Sequence, residues 1–438
     1  MNQASRSTGG AAVRKQTVGQ TIGGANKASG SKSRSKWKEY TALATVPLVL
    51  VLGNSMLVPI LPDMERQMKL TSLQSSMVIT LFSIAAGLVI PVAGYLSDRF
   101  SRKAVIIPSL AIYGAAGILA GFGALWGSYA ILIVSRAIQG IAAAGTAPIA
   151  MALVGDLYKD GEESEALGLI EASNGTGKVV SPIIGSLLAL IVWYAPFFAF
   201  PLFCAASLLA VMFMLKEPSS NEKPVPALEY LRGIGAEFKA QGRWLIPAFV
   251  AGALGLFIMF GVLFYLSDVL EKAPYYIDGV AKGGVLAIPL LGLVVTAYLT
   301  GRVIKNNGRL MRILMVTGLA LMAAALGCGM LGYNKIILLI ALITISSIGT
   351  GLLLPCLNTL ITGSVDRSKR GMITSLYSSL RFIGVAFGPP LFTWLTAVSV
   401  MLLFGIVSGL SVAVMIGVWL LVRPPAKSGD TAGTNNRK

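Results

Sequence analysis

Long apolar runs separated by short polar ones repeat along this chain from Thr41 to Val422. A helix rises ~1.5 Å per residue, so ~20 apolar residues in a row cross the ~30 Å hydrocarbon core of a bilayer. The pattern predicts twelve spans, over residues 41–62, 75–97, 104–125, 128–155, 166–190, 195–216, 244–267, 283–301, 311–332, 336–362, 372–395 and 400–422. The segments that flank and divide the pattern are polar. Residues 1–40 are basic and rich in Gly and Ser, which predicts a disordered tail, and 423–438 form a second short tail. Residues 217–243 mix charges of both signs between the sixth and seventh spans and read as a linker. It joins two bundles of six helices, 41–216 and 244–422. The predicted fold class is an all-α membrane protein with two pseudo-symmetric six-helix halves.

Composition narrows the class further. With 55% hydrophobic and 13% charged residues over 438 positions, the chain is too apolar for a soluble multidomain protein. The net charge of +17 lies in short loops and forms no single patch, so membrane topology accounts for it and no nucleic-acid partner is expected. Most cations fall on alternate loops, which puts both termini in the cytoplasm, and the basic tail is placed to touch anionic membrane lipid. Residues 1–36 have no apolar centre, so no secretory signal is predicted. The three cysteines lie inside predicted spans without metal-ligand spacing, and the chain has no histidine. Neither disulfide nor metal nor any other cofactor is expected. Absence of a phosphate-binding glycine loop and of a paired nucleophile and base argues against ATP-driven pumping and against an enzyme.

The two halves repeat one another in sequence. Laid without gaps over residues 371–389, residues 168–186 match Gly168 to Gly371, Gly185 to Gly388 and Lys178 to Arg381. The ends of the second and eighth spans also correspond, GYLSDRFSRK against GRVIKNNGRL, although the second copy lacks the acid.

The loop at 94–103 is the most specific stretch. A positive-inside anchor explains Arg99, Arg102 and Lys103 but not Asp98, an acid among cations at a helix end. The order Gly94, Asp98, Arg99, Arg102, Lys103 resembles the loop between helices two and three of the major facilitator superfamily. In the fourth span, LIVSRAIQGIAAA places Arg136, Gln139 and Gly140 as in that family's second motif. In the fifth, Gly168, Gly177, Ser181, Pro182 and Gly185 follow its antiporter motif, with serine at 181 and 186 where glycine is usual. NSMLVPILP, from Asn54 to Pro62, is similar to the family's proline-containing exit from helix one. The chain thus resembles a twelve-helix drug:proton antiporter of multidrug efflux type. That resemblance implies a monomer in a bacterial cytoplasmic membrane that works by alternating access. It also implies that Asp98 pairs with basic groups and a neighbouring helix N-terminus, as part of a conformational gate.

An ionisable side chain inside a span costs on the order of 2.5–3.5 kcal/mol, so each one calls for a reason. Arg136, Glu171, Lys178 and Arg381 fall within predicted spans, with Asp63 and Asp268 near helix ends. Glu171 and Lys178 are two turns apart on one face, ~10 Å in rise, too far for a direct bond. Proton coupling needs a group that changes charge, and arginine does not. Glu171 is therefore the expected proton carrier, with Arg136 as its electrostatic partner. Lys178, Arg381, Asn54 and Tyr377 are the expected cavity residues, and Met259, Phe260, Tyr265 and Phe382 are candidates for adaptable apolar contact. Three cations against one acid favour amphipathic, neutral, zwitterionic or anionic cargo. The expected function is export of small amphipathic molecules in exchange for protons. The alternative is a dedicated exporter of one metabolite, such as a siderophore or lipid-linked compound.

Overall fold

The computed structural model describes residues 18–158, 160–215, 227–304, 307–364 and 367–422, without the side chains of 18–36, 155, 160–165, 167, 168, 171, 227, 228, 230, 231, 364 and 367–370. All of the described regular structure is helical. The first span combines α1 (Val18–Ser55), a 3-10 turn (Val58–Ile60) and α2 (Leu61–Met68). It is followed by α3 (Ser72–Arg99), α4 (Arg102–Leu125), α5 (Tyr129–Ala144) and α6 (Ala147–Leu157). The first half closes with α7 (Asp160–Ala189) and α8 (Ala195–Met214). The second half holds α9 (Ala227–Glu271), α10 (Gly279–Ile304), α11 (Gly308–Gly332), α12 (Ile336–Ser364), α13 (Arg367–Val398) and α14 (Val400–Leu421).

Local chemistry sets several of these boundaries. Thr71 and Gln74 form a reciprocal capping box at the start of α3, and Ser101, Ser128, Asn307 and Ser399 cap α4, α5, α11 and α14 through their side chains. The fourth span is α5 and α6 together, interrupted at Gly145 and Thr146 before Pro148. Among the described residues, eleven spans are long and apolar enough to cross a membrane. The fifth span, α7, is a helix of 30 residues, easily long enough. Its first half carries Asp160, Glu162, Glu163, Glu165 and Glu171, which lowers its apolar character.

Two sequence boundaries change. Residues 227–243, read as linker, are the first turns of the 45-residue helix α9, and residues 18–40, read as disordered tail, belong to α1. In both cases a stable span supplies the costly helical nucleus, and adding further residues to an existing helix needs only propagation.

The halves meet along two seams, α3 against α13 and α7 against α10. Within each half the repeat read from sequence is visible in packing. A Cβ at Gly185 of α7 would lie 2.2 Å from the carbonyl oxygen of Met56, one residue past the end of α1, and one at Gly388 of α13 would lie 2.7 Å from the Phe257 carbonyl oxygen of α9. Matched glycines therefore let matched helix pairs approach backbone to backbone.

Candidate functional site

Among the described residues, Arg136 is the largest fully buried side chain of the first half. Its Nε donates to the Val78 carbonyl (3.0 Å), Nη1 to Gln139 Oε1 (2.7 Å) and Nη2 to Asn54 Oδ1 (3.0 Å). Gln139 in turn donates to the Tyr113 carbonyl, 3.3 Å away. One guanidinium thus ties α5 to α1 and α3, and through Gln139 to α4, which offsets the cost of its burial. The guanidinium carbon also sits 4.5 Å from the Phe82 ring centre, and Phe82 meets Phe382 of the other half at 6.5 Å. Asn54 is correspondingly occupied as part of this brace.

The Glu171 side chain lies outside the described residues, but α7 is tied to α1 by Ser173 Oγ, which donates to the Ala44 carbonyl at 2.8 Å. Arg136 binds Asn54, about ten residues further along α1, or ~15 Å of helix rise. The described side-chain acceptors for Arg136 are the neutral Gln139 and Asn54, and the expected pairing with Glu171 falls on a side chain outside the described residues.

The antiporter-motif residues form a packing seam. Gly177, Ser181 and Gly185 recur every four residues on one face of α7 and lie on the first span: Gly177 against Leu48 and Val51, Ser181 Oγ 3.5 Å from the Val51 carbonyl, and Gly185 against Met56 just past α1. Both Ser181 and Pro182 are buried, and the Pro182 carbonyl approaches Gly283 of α10 at the seam between halves. Gly168 has its backbone in α7, while its surroundings lie outside the described residues.

Lys178 and Arg381 are both half-buried. They lie on helices of opposite seams, Lys178 on α7 beside α10 and Arg381 on α13 beside α3. Arg381 is held over the Tyr377 ring at 5.4 Å, and its buried Nε has no hydrogen-bond partner among the described residues. Tyr377 is itself buried, 5.4 Å from Phe249. Of the apolar candidates, Phe382 reaches the α3 seam. Met259, Phe260 and Tyr265 are packed into a core shared by residues of both halves, with Tyr265 against Phe404. Their sequence pattern did not distinguish cavity from core.

At the end of α3, Arg102 is the centre of the charged loop. It pairs with Asp98, its Nε donates to Asp156 Oδ2 of α6 (2.8 Å), and Nη1 donates to Ser97 Oγ (2.7 Å). Lys103 Nζ donates to the Leu215 carbonyl at 2.8 Å, beyond the last turn of α8, where carbonyls lack helical partners. Arg99 lies beside Tyr95 and 5.9 Å from the Phe100 ring, and Gly94 is buried. These contacts knit α3, α4, α6 and α8, all in the first half. Asp156 was not singled out in the sequence because it is separated from the loop by 54 residues.

A second charged cluster occupies the opposite face. Glu271, at the end of α9, pairs with Lys282 of α10 and with Arg66 of α2. Arg66 also pairs with Asp63. All four residues lie just outside the spans predicted over 41–62, 244–267 and 283–301, yet the Lys282 and Glu271 side chains are only 1% and 4% exposed. The dense alternation of Asp268, Glu271, Lys272, Asp278 and Lys282 was the available signal. Asp268 itself is an ordinary partner for Lys272 at 2.6 Å, one helical turn away.

Two helix seams join the halves, and a charged cluster lies at each face. The family model described as Major Facilitator Superfamily matches residues 43–315 and 275–437. The chain belongs to this superfamily. It is a multi-pass membrane transporter of the major facilitator fold, not an enzyme. It is similar to the bacillibactin exporter of Bacillus subtilis (strain 168), 43% identical over 81% of this chain and 89% of that protein. It is more distantly similar to the tetracycline resistance protein, class C, of Escherichia coli, 27% identical over 82% and 89%. Multidrug resistance protein 2 of Bacillus subtilis is 25% identical over 78% and 85%. Among solved structures, the human organic anion transporter MFSD10 (TETRAN) shares the fold with a TM-score of 0.70, covering 87% of this chain and 99% of that one at 20% identity.

Proposed function

We propose that this transporter is a dedicated exporter of one metabolite of the siderophore kind, with bacillibactin as the first cargo to test, and not a broad multidrug pump. The observation that carries this reading is 43% identity along four-fifths of the chain to a bacillibactin exporter, against 24–27% to multidrug and tetracycline resistance proteins. The charge of the core supports it. Lys178 and Arg381 are set along opposite seams, and Arg381 has the Tyr377 ring beneath it and an Nε facing no protein acceptor among the described residues. A cation supported by a ring attracts anionic and electron-rich groups. Export is driven by proton exchange, with Glu171 as the carrier and Arg136 as the brace of the first half. Cations concentrated on the face of the Asp98 loop put both termini in the cytoplasm of a bacterial cell, and the working unit is a monomer.

The test uses inside-out vesicles containing the full chain. Bacillibactin is expected to accumulate uphill and a cationic dye to be carried at least tenfold less well, with accumulation abolished by a protonophore. Equal transport of both would restore the multidrug reading, and protonophore-insensitive accumulation would remove proton coupling. Lys178→Gln and Arg381→Gln are each expected to cut transport of anionic cargo about tenfold, corresponding to ~1.4 kcal/mol, at unchanged protein abundance.

A further inference from the structure

We infer that Glu271 and Arg66 form a detachable latch that holds the face opposite the Asp98 loop shut, with Lys282 as the permanent counter-charge that lets the latch open. Three observations carry it. Arg66 belongs to the first half and Glu271 to the second, so their ion pair crosses the line along which the halves must part. It lies among other cross-half contacts at the same face: Ser267 Oγ of α9 donates to the Val58 carbonyl at 3.1 Å, and the buried 3-10 turn Val58–Ile60 packs against α9 and α10. The exposures of the three side chains are also unequal, 57% for Arg66 against 4% for Glu271 and 1% for Lys282.

That inequality gives each residue a distinct part. An exposed guanidinium can return to water at little cost, whereas a buried carboxylate left alone would be expensive. Lys282 lies on α10 of the same half as Glu271 and stays paired with it when the halves separate. Opening thus breaks one ion pair and strands no buried charge. The bond is close enough to balance for cargo to tip it, as alternating access requires. Asp63 receives the released arginine, since it already pairs with Arg66 from the same helix.

Placing this latch on the outer side of the membrane rests on the proposed orientation, and the experiment reads that separately. The reporter is Val58→Cys in full-length chain whose Cys204, Cys328 and Cys356 are replaced by serine, labelled in intact cells with a membrane-impermeant maleimide. Lys69→Cys, on an exposed position of the same face, serves as the sidedness control. Arg66→Ala and Glu271→Gln are each expected to raise Val58→Cys labelling about three- to tenfold at matched abundance. The double variant is expected to exceed neither single one, and Arg66→Lys to restore protection in part. Unchanged labelling in Arg66→Ala, or additive increases in the double variant, would overturn the latch; Arg66→Ala decides alone if Glu271→Gln does not fold. Failure of Lys69→Cys to label would overturn the orientation and move the same test to inside-out vesicles.

Discussion

At the basic face Arg102 ties Asp98 to Asp156, and all three residues belong to the first half; at the opposite face Arg66 reaches from the first half to Glu271 of the second. Both clusters are built around one arginine and two carboxylates, yet burial differs in kind. Arg102 is the buried member of its cluster, 15% exposed between acids that are 44% and 47% exposed. Arg66 is the exposed member of the other, facing a carboxylate that is 4% exposed. A buried arginine with solvated partners staples the elements around it. An exposed arginine with a buried partner is the one that can leave. The difference shows that the residue types in a charged cluster do not reveal whether it holds a half together or holds two halves shut.

The comparison can be broken most severely at a position carrying no charge. Gly185→Val would drive a side chain into the Met56 carbonyl, just before the 3-10 turn that seals the opposite face. A loss of about 3 kcal/mol is expected, read as a collapse in folded, monodisperse protein after detergent extraction. Gly388→Val should do the same through Phe257, and a large effect from only one of them would weaken the packing equivalence of the halves. Next, Arg102→Ala removes a staple within the first half and leaves two solvated acids without it, for about 1 kcal/mol. The measurable result is a lower thermal transition with no rise in Val58→Cys labelling. A rise comparable to that of Arg66→Ala would erase the distinction between the two faces. The smallest effect is reserved for Asp268→Ala, which loses a partly exposed one-turn pair worth ~0.3–0.5 kcal/mol. Transport is expected to stay within twofold of the parent, and a larger loss would mean that the opposite-face cluster extends beyond Glu271.

Much of the architecture was legible in the sequence because a bilayer admits few solutions. Every backbone polar group in hydrocarbon must be satisfied within its own segment, so long apolar runs become helices and their number follows by counting. Apolar runs therefore determined the spans, cation placement determined the expected orientation, and the ungapped match of residues 168–186 to 371–389 determined the repeat. The motif glycines were also readable, since only a missing side chain allows the approach seen at Gly185 and Gly388.

What the tertiary structure alone decided is which charges meet. Arg136 was singled out by its position in a span, but its neutral partners, Asn54 and Gln139, follow from how α1 and α5 pack. Asp156 joins Arg102 across 54 residues, and Arg66 joins Glu271 across 205. Lys282 lies one residue before the predicted span over 283–301, a margin that turns an apparent loop cation into a buried partner of Glu271. Hydrophobicity is a property of each segment and can be read locally. A contact between distant charges depends on the relative depth and rotation of whole helices, which the packing of the two halves fixes and no single segment carries.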